Sequence, residues 1–400
     1  MDHTDIAVIG AGLAGALAAL ALSRDGRTVA LIAPTAPHDR RTTALMDEAI
    51  GFLRKLDVGE DVSALGAPLA TLRIIDGTDR LLRAPVVTFR AAEIGLDAFG
   101  YNLPNAPFLD VLNRRIESAP SITRIDARLE SLEENATGCT LTLADGRSLT
   151  ASLVIGADGR RSLVREARRI ETRNWSYPQT AVVLNFAHER PHENISTEFH
   201  TRQGPFTQVP LPGNRSSLVW VMTPDAAAEM LTRETAALSS AVEQRMQSML
   251  GKVTVDTEPQ AFPLSGMAAT RFGKGRVILV GEAAHAFPPI GAQGLNLSLR
   301  DVMTLVAMLA ELPAIPADLG DRYDRRRRAD ILSRTVSVDL LNRSLLTGFL
   351  PVQMLRAGGL QALSSAGALR SLVMQEGLRP GSAIRSILGD LREKIGRHSA

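Results

Sequence analysis

The sequence has one cysteine, Cys139, so no disulfide can form within the chain. Seven histidines are scattered without metal-ligand spacing, which excludes a zinc finger or a His-rich metal centre. Lysine is scarce, at Lys55, Lys252, Lys274 and Lys394, and aromatic residues make up only 4% of the chain. Arginine supplies nearly all the positive charge. Forty-five Lys and Arg against 43 Asp and Glu leave a net charge of +2, and no field for nucleic acid follows. No apolar run reaches the roughly 20 uninterrupted residues of a membrane-spanning helix. Ile6 to Ser23 comes nearest, yet Asp2 and Asp5 precede it and Gly10, Gly12 and Gly15 interrupt it, which argues against a cleaved leader. These absences point to a cytoplasmic globular protein in a reducing compartment, with any inner-membrane contact peripheral.

What is present is 400 residues of ordinary globular composition, enough for two or three packed units around a sizeable core. Asp5 to Ile9, Gly10 to Gly15, an Ala/Leu-rich segment to Ser23 and Thr28 to Ile32 read as strand, turn, helix and strand. Residues 46–57 and 107–117 carry helical apolar spacing, and 122–149 is a meander with turns at Asn135/Gly138 and Asp145-Gly146. From Trp175 to Met222 the apolar period is that of a separate antiparallel sheet. One helical stretch is expected from Ala226 to Leu250, and strand, loop and helix return from Gly275 to Asp301. The remainder is mostly helical, with Arg325 to Arg328 expected to form a solvated helix face.

Three loops carry the chemistry. Gly10-Ala11-Gly12-Leu13-Ala14-Gly15 follows a strand and opens a helix, the context in which G-x-G-x-x-G signals a dinucleotide. The first glycine permits the tight turn, the second lets backbone approach a pyrophosphate, and the third lets helix pack on strand. An acid normally ends the next strand and accepts from the adenosine ribose, but Ala33 stands there. Ribose recognition then falls to backbone, water or another side chain. Asp158-Gly159 sits at a second strand-to-helix turn, where the carboxylate is equally suited to capping the helix. Gly281-Glu282 ends a third strand, and the loop through Pro289, Gly291, Gly294, Leu295 and Asn296 feeds a further helix. Such a glycine-rich helix start suits a phosphate or an electron-rich ring edge.

In this order the loops resemble those of the group A FAD-dependent aromatic hydroxylases related to 4-hydroxybenzoate hydroxylase, and within them the ubiquinone-biosynthesis hydroxylases. Further residues carry the likeness: Asp39 to Leu45, Asn105, Ser162, Val164 and Arg165, Tyr177 to Ala181, Pro210-Leu211-Pro212, and Pro289 to Asp301. The resemblance implies an α/β fold whose Rossmann-like FAD-binding domain, at 1–70, 99–174 and 271–325, is interrupted by an antiparallel-sheet substrate domain at 71–98 and 175–270. A helical region follows at 326–400. It also implies that Gly10, Gly12, Leu13, Ala14, Gly15, Arg41, Asp158, Gly159, Gly281, Glu282, Gly291, Gly294, Leu295 and Asn296 bind FAD. Glu282 stands where relatives carry Asp, and Ala106 where many carry Arg.

The chemistry implied is ring hydroxylation of a polyprenylated phenol or quinol through a flavin C4a-hydroperoxide. NADH or NADPH would serve as transient reductant and O2 as co-substrate. A dry pocket between the two domains suits that chemistry. Val183, Asn185, Gln208, Pro210 and Trp220 are candidates for its wall, with Pro289 over the flavin. His285 is a weak candidate for the base and reads first as a packing or hydrogen-bonding residue near the flavin, and nothing in the sequence assigns the base. Leu340 to Leu355, flanked by Arg343 and Arg356, offers an apolar face for a membrane, for subunits of a biosynthetic complex, or for its own domain. A halogenase lacks support because no W-x-W-x-I-P segment exists. A reductase on the same scaffold stays open, and Ala33 with Glu282 motivates a flavin-poor scaffold protein as the other alternative.

Overall fold

The computed structural model describes residues 2–24, 26–35, 39–78, 84–201, 203–288 and 293–346, with Gly367, Arg370, Ser371 and Met374. The chain opens with β1 (Asp2–Ile9), α1 (Leu13–Ser23), β2 (Val29–Ile32) and β3 (Thr42–Met46), followed by α2 (Asp47–Lys55) and α3 (Gly59–Leu65). Next come β4 (Ala67–Pro68), β5 (Thr71–Asp76), β6 (Val87–Arg90), β7 (Gly100–Pro104) and α4 (Asn105–Glu117). A group of strands follows: β8 (Ile122–Ile125), β9 (Leu129–Glu134), β10 (Cys139–Leu143) and β11 (Ser148–Gly156), closed by α5 (Leu163–Ala167). The insertion is β12 (Thr172–His188), β13 (Ile195–His200), β14 (Pro205–Leu211), β15 (Arg215–Met222), α6 (Pro224–Thr232), α7 (Thr235–Arg245), β16 (Val253–Val255) and β17 (Gln260–Ala269). The chain then runs through β18 (Gly273–Lys274), β19 (Val277–Leu279), β20 (His285–Ala286), α8 (Gln293–Ala310) and α9 (Leu319–Leu346).

An eight-stranded sheet has the order β18-β19-β11-β1-β2-β8, with β10 and β9 joined beside β11. Strands β19, β11, β1, β2 and β8 are mutually parallel. At the centre of the sheet Ile6–Ile9, Val29–Ile32, Leu153–Ile155 and Val277–Leu279 are apolar and buried without interruption, as strands covered on both faces require, whereas the edge strand β8 exposes Thr123 and Arg124. Helix α1 is hydrophobic all round and buried from Gly15 to Ser23, because it lies between the sheet and α4 and α8.

The nine-stranded sheet, β20-β17-β12-β15-β14-β13-β5-β6 with β16 beside β12, is antiparallel except where β13 meets β5. Its strands alternate. Val182, Leu184, Phe186, Phe206, Leu218 and Met222 form one core with α6 and α7. The opposite face meets the three-stranded sheet β3-β7-β4, where Thr42 and Asn102 both donate to Ser217 Oγ, each at 3.1 Å.

Two expectations change. The helical stretch at 226–250 is two helices, because Arg233 and Glu234 take extended backbone between them. The arginine run is only partly solvated. Helix α9 lies on β18 and β19, so its period turns Tyr323, Asp324, Arg327 and Ile331 inward while Arg325 and Arg326 face out. No helix among the described residues is long and apolar enough to cross a membrane. The side chains from Leu340 to Leu355 lie outside the described residues.

Candidate functional site

Parallel strands end on a common edge. Ile9 pairs in register with Ile32 and with Gly156, and Gly156 pairs with Leu279, so the loops after β1, β2, β11 and β19 start side by side. Ligands of open α/β sheets bind beyond this carboxyl edge. Backbone bonds lock the starts together: Gly10 N–H donates to Ile32 O (2.9 Å), Ala157 N–H to Ile9 O (2.8 Å) and Val280 N–H to Gly156 O (2.9 Å).

The glycines divide by what surrounds them. A Cβ on Gly15 would sit 1.8 Å from Gly10 O, and one on Gly10 would sit 2.3 Å from Ala157 O. These two are glycines because backbone packs against backbone. Gly12 is different: it is exposed, its φ of −69° suits any residue, and a Cβ there would meet nothing within 4 Å. Open space above the second glycine, at the start of α1, leaves room in which a pyrophosphate could sit. Leu13 and Ala14 continue the helix start, Leu13 packing on the core and Ala14 facing Gly281, whose Cβ would lie 3.2 Å from Ala14 Cβ.

Asp158 and Gly159 occupy the second loop. The helix cap there is Ser162, whose Oγ accepts from Arg165 N–H at 3.0 Å, and not Asp158. Asp158 instead accepts from Val164 N–H through Oδ2 (3.2 Å), while its buried Oδ1 has no partner among the described residues. Burial pushes this carboxyl above the usual carboxylate range against the pull of Ser162 and the Val164 amide. An unsatisfied acceptor at the cradle calls for a donor from a ligand hydroxyl or water.

Glu282, on the third loop, keeps about half its side chain in solvent and faces Arg160 Nε at 3.7 Å. Arg160 also donates to Ser265 Oγ of β17 (2.9 Å), and buried Arg165 reaches Ala283 O (2.9 Å) and Arg160 O (2.7 Å). Arg160 and Arg165 thus brace the second and third loops. Nothing in the spacing of a single sequence signals that role, because Ser265, Glu282 and the Ala283 carbonyl lie more than a hundred residues along the chain.

Arg41 forks onto Asp39 through two 2.8 Å bonds, and Asn105 donates to the same carboxylate at 2.8 Å. The Arg41 guanidinium lies 5.7 Å over the Phe262 ring of β17, so this site bridges the two sheets. On α8, Gly294 is exposed and Leu295 packs on the core. Asn296 donates to Ala44 O (2.7 Å) and accepts from Met46 N–H (2.9 Å), which fastens the start of α8 to β3. Pro289 and Gly291 lie outside the described residues.

His285 takes the packing and hydrogen-bonding place that is its first reading. Its ring is 2% exposed and its Nε2 lies 2.6 Å from Asp301 Oδ2, which also accepts from Gly281 N–H at 3.1 Å. Arg327 forks onto Asp301 Oδ1 at 3.0 and 2.8 Å. Burial alone would push the Asp301 carboxyl up, but His285 and then Arg327 hold it below its ordinary value. His285 is a strut under the third loop and not a base offered to a substrate.

Register also separates the wall candidates. Val183 and Asn185 pair with Val219 and Ser217, on the face that β3 and β7 meet. Gln208, Pro210 and Trp220 alternate to the opposite face with Phe206 and Leu218, under α6 and α7. Trp220 packs edge-on to Phe206 at 5.1 Å, and Gln208 is fully buried. These residues cannot line one pocket together. Among the described residues no His/Cys/Asp/Glu cluster suits a metal.

A dinucleotide cradle on the carboxyl edge of a parallel sheet, closed on one side by an inserted antiparallel sheet, defines the flavoprotein monooxygenase class of fold. The FAD binding domain family model matches residues 3–336, and the chain belongs to that family. It is 32% identical to a ubiquinone hydroxylase, UbiL, of Rhodospirillum rubrum, over 94% of this chain and 89% of that one. It is 30% identical to the 3-demethoxyubiquinol 3-hydroxylase of Escherichia coli, over 94% and 98% of the two chains. The crystal structure of p-nitrophenol 4-monooxygenase PnpA from Pseudomonas putida superposes with a TM-score of 0.77 at 20% identity, covering 96% of this chain and all of that one. The protein is an FAD-dependent monooxygenase.

Proposed function

We propose that this chain hydroxylates the aromatic ring of a polyprenylated phenol or quinol on the route to ubiquinone, with O2 as co-substrate and NADH or NADPH as reductant. One observation carries the reading: β3 is bonded on one side to Asn296 at the start of α8 and on the other to Ser217, which pairs with Asn185 in the inserted sheet, so a ligand reaching the start of α8 would end beside an interdomain wall. Relatives named as ubiquinone hydroxylases over nearly their full length support the substrate class.

Bound FAD supplies the oxygen-activating chemistry. The chain's own residues do the rest: the Gly10 to Gly15 turn and the N-terminus of α1 hold pyrophosphate, and Asp158 Oδ1 accepts from a cofactor hydroxyl. Arg41 and Phe262 fix the junction of the sheets. Val183 and Val219 present apolar surface that keeps water from the ring. In this reading the substrate domain is 71–98 with 175–270, inserted into an FAD domain. Peripheral attachment to an inner membrane, and docking to other biosynthetic subunits, go with a lipophilic substrate.

Purified protein should carry flavin absorbance, and its product should incorporate one atom of labelled dioxygen. Reductant consumed without label in product would mark a reductase. A colourless protein that refuses added FAD would mark a scaffold. Quinone intermediates accumulating in a deletion strain identify the ring position by mass spectrometry.

A further inference from the structure

The acid that normally ends the second strand of a dinucleotide-binding unit is missing, since Ala33 stands there and is 7% exposed. Its neighbour across the sheet is not apolar. Ile32 pairs in register with Ile125 of β8, and Ala33 N–H donates to Ile125 O at 3.1 Å, so the next residue, Asp126, stands level with Ala33 on the adjoining strand. The displacement is one strand spacing, about 4.8 Å.

Asp126 is exposed at the same carboxyl edge as Gly12. Its carboxylate is oriented from the segment that directly follows Ala33: Thr35 N–H donates to Oδ1 and Thr35 Oγ1 to Oδ2, each at 3.2 Å. Each carboxylate oxygen accepts more than one hydrogen bond, so one donor apiece leaves acceptor capacity facing solvent. Fastening Thr35 uses only part of this carboxylate, and a pair of vicinal hydroxyls matches the acceptor capacity that remains.

We propose that Asp126, held by Thr35, accepts hydrogen bonds from the adenosine ribose of FAD and replaces from β8 the carboxylate that β2 lacks. The inference rests on the FAD cradle at this edge. It makes Asp126 a cofactor-binding residue and Thr35 the residue that positions it.

The test measures dissociation constants for FAD, ADP and riboflavin on the full chain stripped of flavin. Asp126→Ala should weaken FAD and ADP by about tenfold, the loss expected for hydrogen bonds to a charged acceptor, and leave riboflavin unchanged. Asp126→Asn, which keeps the shape and one acceptor, should lose less. Ala33→Glu placed in the Asp126→Ala background should bring FAD and ADP back to within about threefold of the parent. The melting temperature without flavin should not move, since the side chain is exposed. An unchanged ADP constant in Asp126→Ala overturns the proposal, and so does a loss that Ala33→Glu leaves unrepaired. Gly12→Val in the same assay separates the two levels: if it abolishes FAD binding while Asp126→Ala does nothing, the cradle stands and only the ribose assignment falls.

Discussion

The two large sheets solve the same burial problem in opposite ways. In the eight-stranded sheet the central strands are apolar on both faces, and the specificity sits in the turns at one edge, where glycines admit backbone within van der Waals distance of backbone. The nine-stranded sheet spends its alternation on two different neighbours, a helix-covered core and a face turned toward β3. A change in the first sheet therefore strikes the turns and the cofactor. A change in the second strikes register and the wall.

The sharpest break in this comparison is Gly15→Val. With a Cβ 1.8 Å from Gly10 O, the turn cannot form, and the FAD domain should lose more than about 4 kcal/mol, read as insoluble or unfolded protein. Gly12→Val sharpens it from the other side. The site is open, so the flavin-free melting temperature should stay within about 3 °C while the FAD dissociation constant rises at least 100-fold, about 2.7 kcal/mol. A variant that still held FAD tightly would move the pyrophosphate elsewhere.

In the inserted sheet the matching substitution is Gly266→Val. Trp175 lies flat across that glycine, 2.1 Å from where a Cβ would stand, and Trp175 Nε1 donates to Tyr177 OH at 2.7 Å. Overpacking there should cost about 2 kcal/mol and lower turnover, with FAD affinity unchanged. Denaturation followed by tryptophan fluorescence reads the first effect and flavin titration the second.

A pH effect should also be confined to the insertion. His188 is buried, its Nδ1 lies 2.8 Å from Arg190 O and its Nε2 3.0 Å from Ser216 Oγ. Burial chiefly holds this imidazole below its ordinary value of 6.5, with His192 adding to the effect. The unfolded chain then binds the proton more readily. Stability from neutral His188 is complete above about pH 6.5 and falls as pH drops below it, by at most about 1.4 kcal/mol per unit. Urea midpoints at pH 7.5 and 5.5 should differ more in the parent than in His188→Gln. The smallest effect expected is Glu282→Asp: its side chain is half in solvent, and FAD affinity should stay within about threefold or tighten.

The glycine turn, the three strand ends and the inserted sheet were legible because each rests on local pattern: G-x-G-x-x-G between strand and helix, continuous apolar strands, and period-2 alternation. What failed was placement across distance. The arginine run gives no hint that Arg327 is buried on Asp301, because that depends on how α9 lies against β19. His285 reads as a hydrogen-bonding residue, but its partner, Asp301 sixteen residues away, is named only by the fold. Gln208 and Trp220 read like wall residues, and only pairing with β12 and β15 assigns them to the helix side.

The sequence by itself determined which segments form the strand-turn-helix starts and that a stretch of antiparallel strands lies between them, since propensity and spacing act between near neighbours. Tertiary structure alone decided which glycine is open to ligand, which carboxylates are spent on struts, and which acid stands level with Ala33. Those outcomes depend on the register and approach of strands more than a hundred residues apart in some cases, as with Ile9 against Gly156, and no local pattern encodes them.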